Sequence, residues 1–108
     1  MVKLIKIIPS NVKGKKYSAF FKLDNGKEKK VNFGARGYRD YTLINNPKSK
    51  FYIKEREKRE KVKQSYLKRH AKEDWNNVLT AGSLSRWVLW ELPSLAGSIR
   101  KFKNKFNL

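Results

Sequence analysis

A small group of side chains in the middle of the chain has the residue types of acid–base and metal chemistry. His70 is followed by Glu73 and Asp74, and Asp40 could approach them in the folded chain. Such a set could serve a metal-dependent nuclease. However, one His and no Cys cannot form a zinc site within a single chain, and a magnesium site needs several converging oxygen ligands. We therefore expect no catalytic residue, no metal and no cofactor, and the nuclease is the weakest of three hypotheses.

Chemistry suited to phosphates is far more abundant. The 108 residues include 27 Lys and Arg against 9 Asp and Glu, which gives a net charge of +18. Self-repulsion of that size opposes folding unless a polyanion relieves it. Lys outnumbers Arg, which favours point-charge contacts with phosphates over the bidentate reading of guanine. The composition predicts a nucleic-acid-binding protein, with duplex DNA as the expected partner and little sequence preference.

The candidate phosphate contacts fall in the first strands, in a glycine-rich loop and in a long basic helix. A solubilising surface is the alternative interpretation, and in the loop the two arginines could instead form a salt-bridge network with Asp40. The predicted nucleic-acid contacts are Lys13, Lys15, Lys16, Lys22, Lys29, Lys30, Arg36, Arg39, Arg56, Arg59 and Lys63.

Residues 1–34 carry the pattern of a small antiparallel sheet. Three strands are predicted, over residues 2–8, 17–23 and 28–33. Between the last two, Asn25-Gly26 predicts a two-residue type I′ hairpin turn, because that turn needs positive φ at both positions. This register places Lys22 opposite Lys29. Like charges directly opposite each other are unfavourable, so that face is expected to meet water or an anion.

A long charged helix is predicted over residues 46–70. Asn46 is a suitable N-cap and Pro47 a suitable first-turn residue. Glu55 with Arg59 forms an i, i+4 pair in the favourable order, but the apolar residues are too sparse for a coiled coil. Such a helix could lie along a phosphate backbone or protrude into a partner.

The tryptophan-rich stretch Thr80–Trp90 is predicted to be the centre of the core. Residues 71–92 carry a net charge of −1 and form the only part of the chain that is not positive. Ser83 is the expected N-cap of a short helix there. We expect a structural hub around which the basic elements are displayed, made of Trp75, Leu84, Trp87 and Trp90.

The last helix is predicted to begin at Pro93 and to carry the clearest amphipathic pattern. Its apolar positions form one narrow stripe that is expected to dock against the tryptophan helix, and the elements after the long helix together span 80–106. The stripe consists of Leu95, Ile99, Phe102 and Phe106.

Polar residues beside these anchors are expected to pair with one another rather than to form an active site, since buried charges must be paired. They would lock the loop, the end of the long helix and the tryptophan helix together. The predicted polar network consists of Asp40, Arg69, His70, Glu73 and Arg86.

The predicted fold is therefore one α+β domain over residues 1–108, with a three-stranded antiparallel sheet, one long helix and two shorter helices around the hub. Zero Cys fits a protein that works inside a cell or particle. The N-terminal apolar run is too short and too basic for a signal peptide, and no run of about 18 apolar residues could cross a bilayer. No membrane partner is expected.

Linked motifs through most of the chain also carry a family resemblance. They are Phe33-Gly34-Ala35-x-Gly37-Tyr38-x-Asp40-Tyr41-Thr42, Arg69-His70-x-x-Glu73-Asp74-Trp75, the whole of Thr80–Trp90, Pro93-Ser94-Leu95 and Ser98-Ile99, ending near Phe106. The sequence resembles a family of small basic proteins of unassigned function from nucleocytoplasmic large DNA viruses, the giant viruses of algae and amoebae. The resemblance implies a viral protein, located in the virion or in the viral factory of an infected host cell, and implies no catalytic residues.

Two non-enzymatic roles remain open on this evidence. In the first, the protein organises the viral genome through phosphate contacts. In the second, it is a minor virion structural protein whose basic face contacts acidic virion proteins and whose long helix or C-terminal stripe forms a homomeric interface.

Overall fold

The computed structural model describes residues 1–108 and has an α+β fold, which confirms the predicted class. An antiparallel sheet with strand order β1-β2-β3 comes first, and the helices follow it. The strands are β1 (Lys3–Pro9), β2 (Lys15–Lys22) and β3 (Glu28–Ala35). The helices are α1 (Tyr41–Ile44), α2 (Arg56–Arg69), α3 (Ala81–Leu84) and α4 (Leu95–Phe106), with a π-helical turn at Ser85–Leu89 between α3 and α4.

The hairpin between β2 and β3 forms, but the predicted turn type is wrong. The strand register also differs from the prediction by one residue. Lys22 lies opposite Glu28 rather than Lys29, so an opposite-charge pair replaces the predicted like-charge pair. The main-chain N–H of Gly26 donates to the carbonyl of Leu23 at 2.9 Å, and Gly26 alone of the turn residues has positive φ. A three-residue loop with glycine in the left-handed position has this geometry. Asn25 therefore does not adopt the conformation that type I′ requires.

The two faces of the sheet have opposite character. Leu4, Phe21 and Phe33 are almost fully buried on the inner face. On the outer face, Phe20 of the central strand lies between Lys6 of β1 and Lys30 of β3, which pair with it directly across the ladder. The alternation places the apolar face on the core and leaves basic residues on the other face.

The long helix begins ten residues later than predicted, at Arg56 instead of 46. Asn46 Oδ1 and Ser49 Oγ each accept a hydrogen bond of 3.0 Å from the main-chain N–H two residues on. Such local bonds favour turns over a helix. Instead, the guanidinium of Arg59 contacts the segment just before α2. Its Nη1 donates to the carbonyl of Ile53 at 2.7 Å.

A single core joins the sheet to the helices. Its largest fully buried side chains come from the inner sheet face, α1, the α3–π segment and α4. The twelve buried hydrophobic residues are Leu4, Ala19, Phe21, Phe33, Tyr41, Ile44, Tyr66, Leu84, Val88, Leu89, Trp90 and Phe102.

The predicted docking of the C-terminal stripe on the tryptophan segment is confirmed. Phe102 is 1% exposed, and the Phe106 ring meets both Phe102 and Trp87 edge to face, at centroid distances of 5.4 and 5.8 Å. Ser94 caps α4 by accepting a 2.8 Å hydrogen bond from the Gly97 N–H. The chain itself thus covers the stripe. None of the helices has the length and apolarity needed to cross a membrane.

The hub differs from the prediction at two places. Thr80, not Ser83, is the N-cap of α3, because its Oγ1 accepts from the Ser83 N–H at 3.2 Å. Ser83 is fully buried and donates to the carbonyl of Trp75 at 2.8 Å. Trp75 is only half-buried and lies outside the apolar core. The main-chain oxygen of Trp75, rather than its ring, anchors the tryptophan segment. This oxygen also accepts from the indole N–H of Trp87 at 2.8 Å.

Gly34 is where the sheet meets the π-helical turn most closely. Its φ is +78°, and an added Cβ would lie 2.9 Å from Leu89 Cδ1 and 3.1 Å from Lys16 Cβ. We expect Gly34→Ala to lower the free energy of unfolding by about 2 kcal/mol, because strain at positive φ adds to overpacking. Urea unfolding measures this change.

Gly37→Ala is the matched control for that substitution. Gly37 has a similar φ of +86°, but nothing lies within 4 Å of its added Cβ, so only the conformational cost of about 1 kcal/mol is expected. Equal losses in the two variants would show that the close approach of Leu89 to Gly34 contributes nothing to stability.

Candidate nucleic-acid interface

The basic side chains divide into a small set used inside the protein and a large set that is free. Seven of the 27 make an ion pair or a side-chain hydrogen bond within the chain. The other twenty make neither, and all of them are exposed. The seven are Lys16, Arg36, Lys58, Arg59, Lys63, Arg86 and Lys101. Most of the positive charge is therefore held outside the core, without an ion pair or a hydrogen bond inside the chain.

Four of the predicted nucleic-acid contacts belong to the internal set and already have acceptors within the chain. Lys16 Nζ lies 2.6 Å from the carboxylate of Asp40, and Arg59 donates to the carbonyls before α2. Arg36 donates to the carbonyls of Ser10 and Lys15, both at 2.7 Å. Lys63 completes this set, with its Nζ donating to a carbonyl at 2.7 Å. These cations already have structural partners, so they are less available to a phosphate than the cations that have none.

The other predicted contacts are exposed and free, although they do not share one surface. Lys30 lies on the outer sheet face, while Lys29, its neighbour in the strand, pairs with the buried Phe21 and so projects at the rim of the inner face. The seven that remain available are Lys13, Lys15, Lys22, Lys29, Lys30, Arg39 and Arg56.

A group of free cations surrounds Phe20 on the outer sheet face. Nζ of Lys6 lies 5.0 Å from the centroid of the Phe20 ring, and Nζ of Lys30 lies 5.8 Å from it. Lys22 pairs with Lys3 across the β1–β2 ladder in the adjoining row. We call this surface the basic sheet face, made of Lys3, Lys6, Lys22 and Lys30 around Phe20.

One ring is shared by two ammonium groups at the centre of the basic sheet face. Attraction to the ring quadrupole partly offsets their mutual repulsion, and Glu28, opposite Lys22, is the one acid in these paired rows. Lys3 and Lys6 were absent from the predicted contacts. Their spacing of three would place them on opposite faces of a regular strand, and only the irregularity in β1 between Leu4 and Lys6 brings both to the outer face, so no local pattern could have identified them.

The predicted polar network does not form as one network. His70 Nδ1 and Glu73 Oε2 are paired. Asp40 is 2% exposed and caps α1 by accepting a 3.0 Å hydrogen bond from the Leu43 N–H. Arg69 makes no ion pair. The prediction was wrong about the partners because it left out the lysine of β2 that neutralises Asp40.

Glu91, which the sequence analysis missed, is the partner of Arg86. The two groups lie 2.9 Å apart, and both side chains are 11% exposed. The Glu91 carboxylate also pairs with Lys101, and its oxygen lies 4.0 Å from Lys63 Nζ. Glu91 is the only acidic residue after Asp74, which is the signal that could have identified it.

Electrostatics around Glu91 favour its ionised form. Burial alone would raise its pKa, but hydrogen bonds from Lys101 and Arg86 outweigh burial and lower the pKa of Glu91. Burial lowers the pKa of Lys63, and the attraction of Glu91 only partly offsets that effect. The guanidinium of Arg86 also lies 4.3 Å from the ring centroid of Trp87. This cluster is a structural brace between α2, the π-helical turn and α4.

The acidic residues considered for metal chemistry are dispersed among other roles. No group of three or more His, Asp or Glu side chains lies together as metal ligands would. Asp40 is occupied by Lys16, and Glu73 is occupied by His70.

Comparison with known proteins gives one match, and it carries no function. No curated protein and no solved structure matches the chain. The match covers β1 from Ile5 onward, β2, β3, α1 and the first two residues of α2, which includes every lysine of the basic sheet face except Lys3. Residues 5–57 are similar to a family whose description is "Family of unknown function (DUF5754)".

Proposed function

We propose that this protein binds nucleic acid through backbone phosphates, without sequence preference, and that duplex DNA is its main partner. Twenty exposed basic side chains that make no ion pair or side-chain hydrogen bond within the chain carry this proposal. The nine acidic residues are too few to neutralise them, and five of those acids are already paired inside the chain. Counterion release from a polyanion would relieve this imbalance.

The basic sheet face is the surface best suited to the first contacts. Neighbouring strands lie about 4.8 Å apart, so the backbones at Lys6 and Lys30 are separated by about 10 Å. Long, flexible lysine stems can adapt that spacing to successive phosphates. Phe20 holds both ammonium groups above the sheet, which reduces the freedom that they would lose on binding.

The residue types on the basic sheet face support sequence tolerance. All four cations are lysines, whereas the commonest base-specific contact is a bidentate arginine on guanine. Phosphate contacts fix position and carry no direct sequence information. We therefore infer a role in covering or organising DNA rather than in recognising a particular site.

The viral setting comes from the resemblance set out in the sequence analysis. Taken with the phosphate-binding surface, it leads us to infer that the protein helps to organise the genome of a large DNA virus, in the particle or in the viral factory. A DNA-compacting protein needs exposed cations and no active site. The twenty exposed cations suit that role.

Titration of duplex DNA at increasing salt tests the proposed function. If the four lysines of the basic sheet face each neutralise one phosphate, the slope of log affinity against log salt is expected to be about −3.6 or steeper. Between about 50 and 200 mM salt, the affinity should then fall by at least about a hundredfold. Fluorescence anisotropy with two duplexes of unrelated sequence also checks that affinity is independent of sequence.

The absence of DNA binding at about 50 mM salt would remove the proposal, since counterion release makes affinity greatest at low salt. Cross-linking in intact particles that found acidic protein neighbours and no DNA would favour the structural role instead.

A further inference from the structure

A cleft of about 470 Å³ lies where the end of α2 meets the sheet and the α3–π segment. Its walls include Arg39 from the loop before α1, Lys15 from β2, and Arg69 and His70 from the end of α2. The volume falls within the range of about 300 to 1,000 Å³ that is typical of small-ligand pockets. It is a separate feature from the basic sheet face.

The charges in the cleft leave it open to an anion. The cleft is lined by four Lys and Arg side chains against two acids, and both acids are already engaged, Asp40 by Lys16 and Glu73 by His70. The remaining cations of the cleft are exposed and have no partner in the chain; they are Lys15, Arg39 and Arg69. They come from three different parts of the fold, and two are arginines, whose planar forks suit bidentate contact with a phosphate.

Aromatic rings form the inner wall of the same cleft. Tyr66 and Trp90 stack with a centroid distance of 4.2 Å and an interplanar angle of 5°. His70 continues the column at 4.4 Å from Tyr66, and 39% of its side chain is exposed. Tyr38, from the loop before α1, also lines the cleft and is 70% exposed. Two accessible rings thus accompany the free cations.

We propose that this cleft binds a nucleotide, with its phosphate held by Arg39 and Arg69 and its base stacked against His70 or Tyr38. Phosphate alone would use the cations but not the rings, and base–aromatic stacking contributes about 1 to 3 kcal/mol per base. A free mononucleotide and the phosphorylated end of a strand present the same chemistry. The cleft does not depend on the basic sheet face for any of these contacts.

Calorimetric titration at about 150 mM salt, where non-specific phosphate contacts are weakened, tests this inference. AMP is the probe, with adenosine and inorganic phosphate as its two halves. We expect AMP to bind at least tenfold more tightly than either half. Arg69→Gln should weaken AMP binding about tenfold, the effect of removing one charged hydrogen-bonding partner. Arg100→Gln, which removes an exposed and unpaired arginine on α4, should leave it unchanged.

Equal affinities in the Arg69→Gln and Arg100→Gln proteins, or no AMP binding at millimolar concentration, would overturn the inference. An oligonucleotide that binds more tightly with a 5′-phosphate than without one would identify a strand end as the source, and equal affinities would identify a free nucleotide. A variant that lacks the lysines of the basic sheet face should still bind AMP, so that failure of DNA binding and failure of the cleft are distinguishable.

Discussion

Replacing Glu91 with Gln is expected to lower the free energy of unfolding by about 3 kcal/mol at neutral pH, because removing one partner leaves poorly hydrated charges unpaired. The Glu91 carboxylate pairs with Arg86 and Lys101 and lies near Lys63. Side-chain exposure is only 16% for Lys63 and 11% for Arg86. Without the acid, these cations would repel one another in a chain that already carries a charge of +18. Urea unfolding at neutral pH measures the loss.

The pH dependence of the Glu91 contribution has a definite sign. The folded-state pKa of Glu91 lies below its ordinary value of 4.5, so the unfolded chain takes up this proton first as the pH falls. The stabilisation is fully present above about pH 4.5 and is lost as the pH falls through the folded pKa. The stability difference between the natural protein and Glu91→Gln should therefore narrow at about pH 3.

Glu57→Gln is the control, because Glu57 is exposed on α2 and makes no ion pair. It removes the same charge and should change stability by less than about 0.5 kcal/mol. If Glu91→Gln were no more destabilising than Glu57→Gln at neutral pH, the brace between α2 and α4 would have no energetic role.

The hydrophobic period and the composition were enough to predict the sheet. Apolar and polar residues that alternate with a repeat of two, with a glycine at the turn, are compatible with few other structures. They were not enough to fix the register. Asn25-Gly26 suits both a two-residue type I′ loop and a three-residue loop that ends in a left-handed glycine. Only the pairing of whole strands distinguishes the two, and here it places Lys22 against Glu28.

The start of α2 was mispredicted for a related reason. Asn46 followed by Pro47 can begin a helix, but the same side chains stabilise turns. The outcome depends on tertiary contacts that a local pattern does not contain. One of them is the 3.0 Å hydrogen bond from the Ile53 N–H to the carbonyl of Ile44, which closes the loop between α1 and α2.

The candidate interface was predictable in total charge but not in detail. Arg36, Arg59 and Lys63 have main-chain carbonyls as their acceptors, and any residue can supply a carbonyl. Counting acidic residues therefore cannot show which cations are engaged. The clustering of Lys6 and Lys30 on one ring follows from the register of three strands, so it too required the folded structure.

Neutralising the basic sheet face is expected to weaken duplex DNA binding about four-thousandfold at about 0.1 M salt, because each of the four lost phosphate contacts removes about 0.9 of a power of ten at that salt. The slope of log affinity against log salt should also become shallower by about 3.6. Fluorescence anisotropy over a salt series measures both quantities. The substitutions are Lys3→Gln, Lys6→Gln, Lys22→Gln and Lys30→Gln.

A second variant that loses four cations from other elements separates location from total charge. Both proteins fall from +18 to +14, so long-range attraction to DNA weakens about equally. Only the sheet variant should lose the steep salt dependence, since the two lysines before α2 and the two cations on α4 lie outside the paired rows around Phe20. Equal losses of affinity and slope in both variants would mean that DNA meets a diffuse basic surface and not the basic sheet face. The control substitutions are Lys48→Gln, Lys54→Gln, Arg100→Gln and Lys103→Gln.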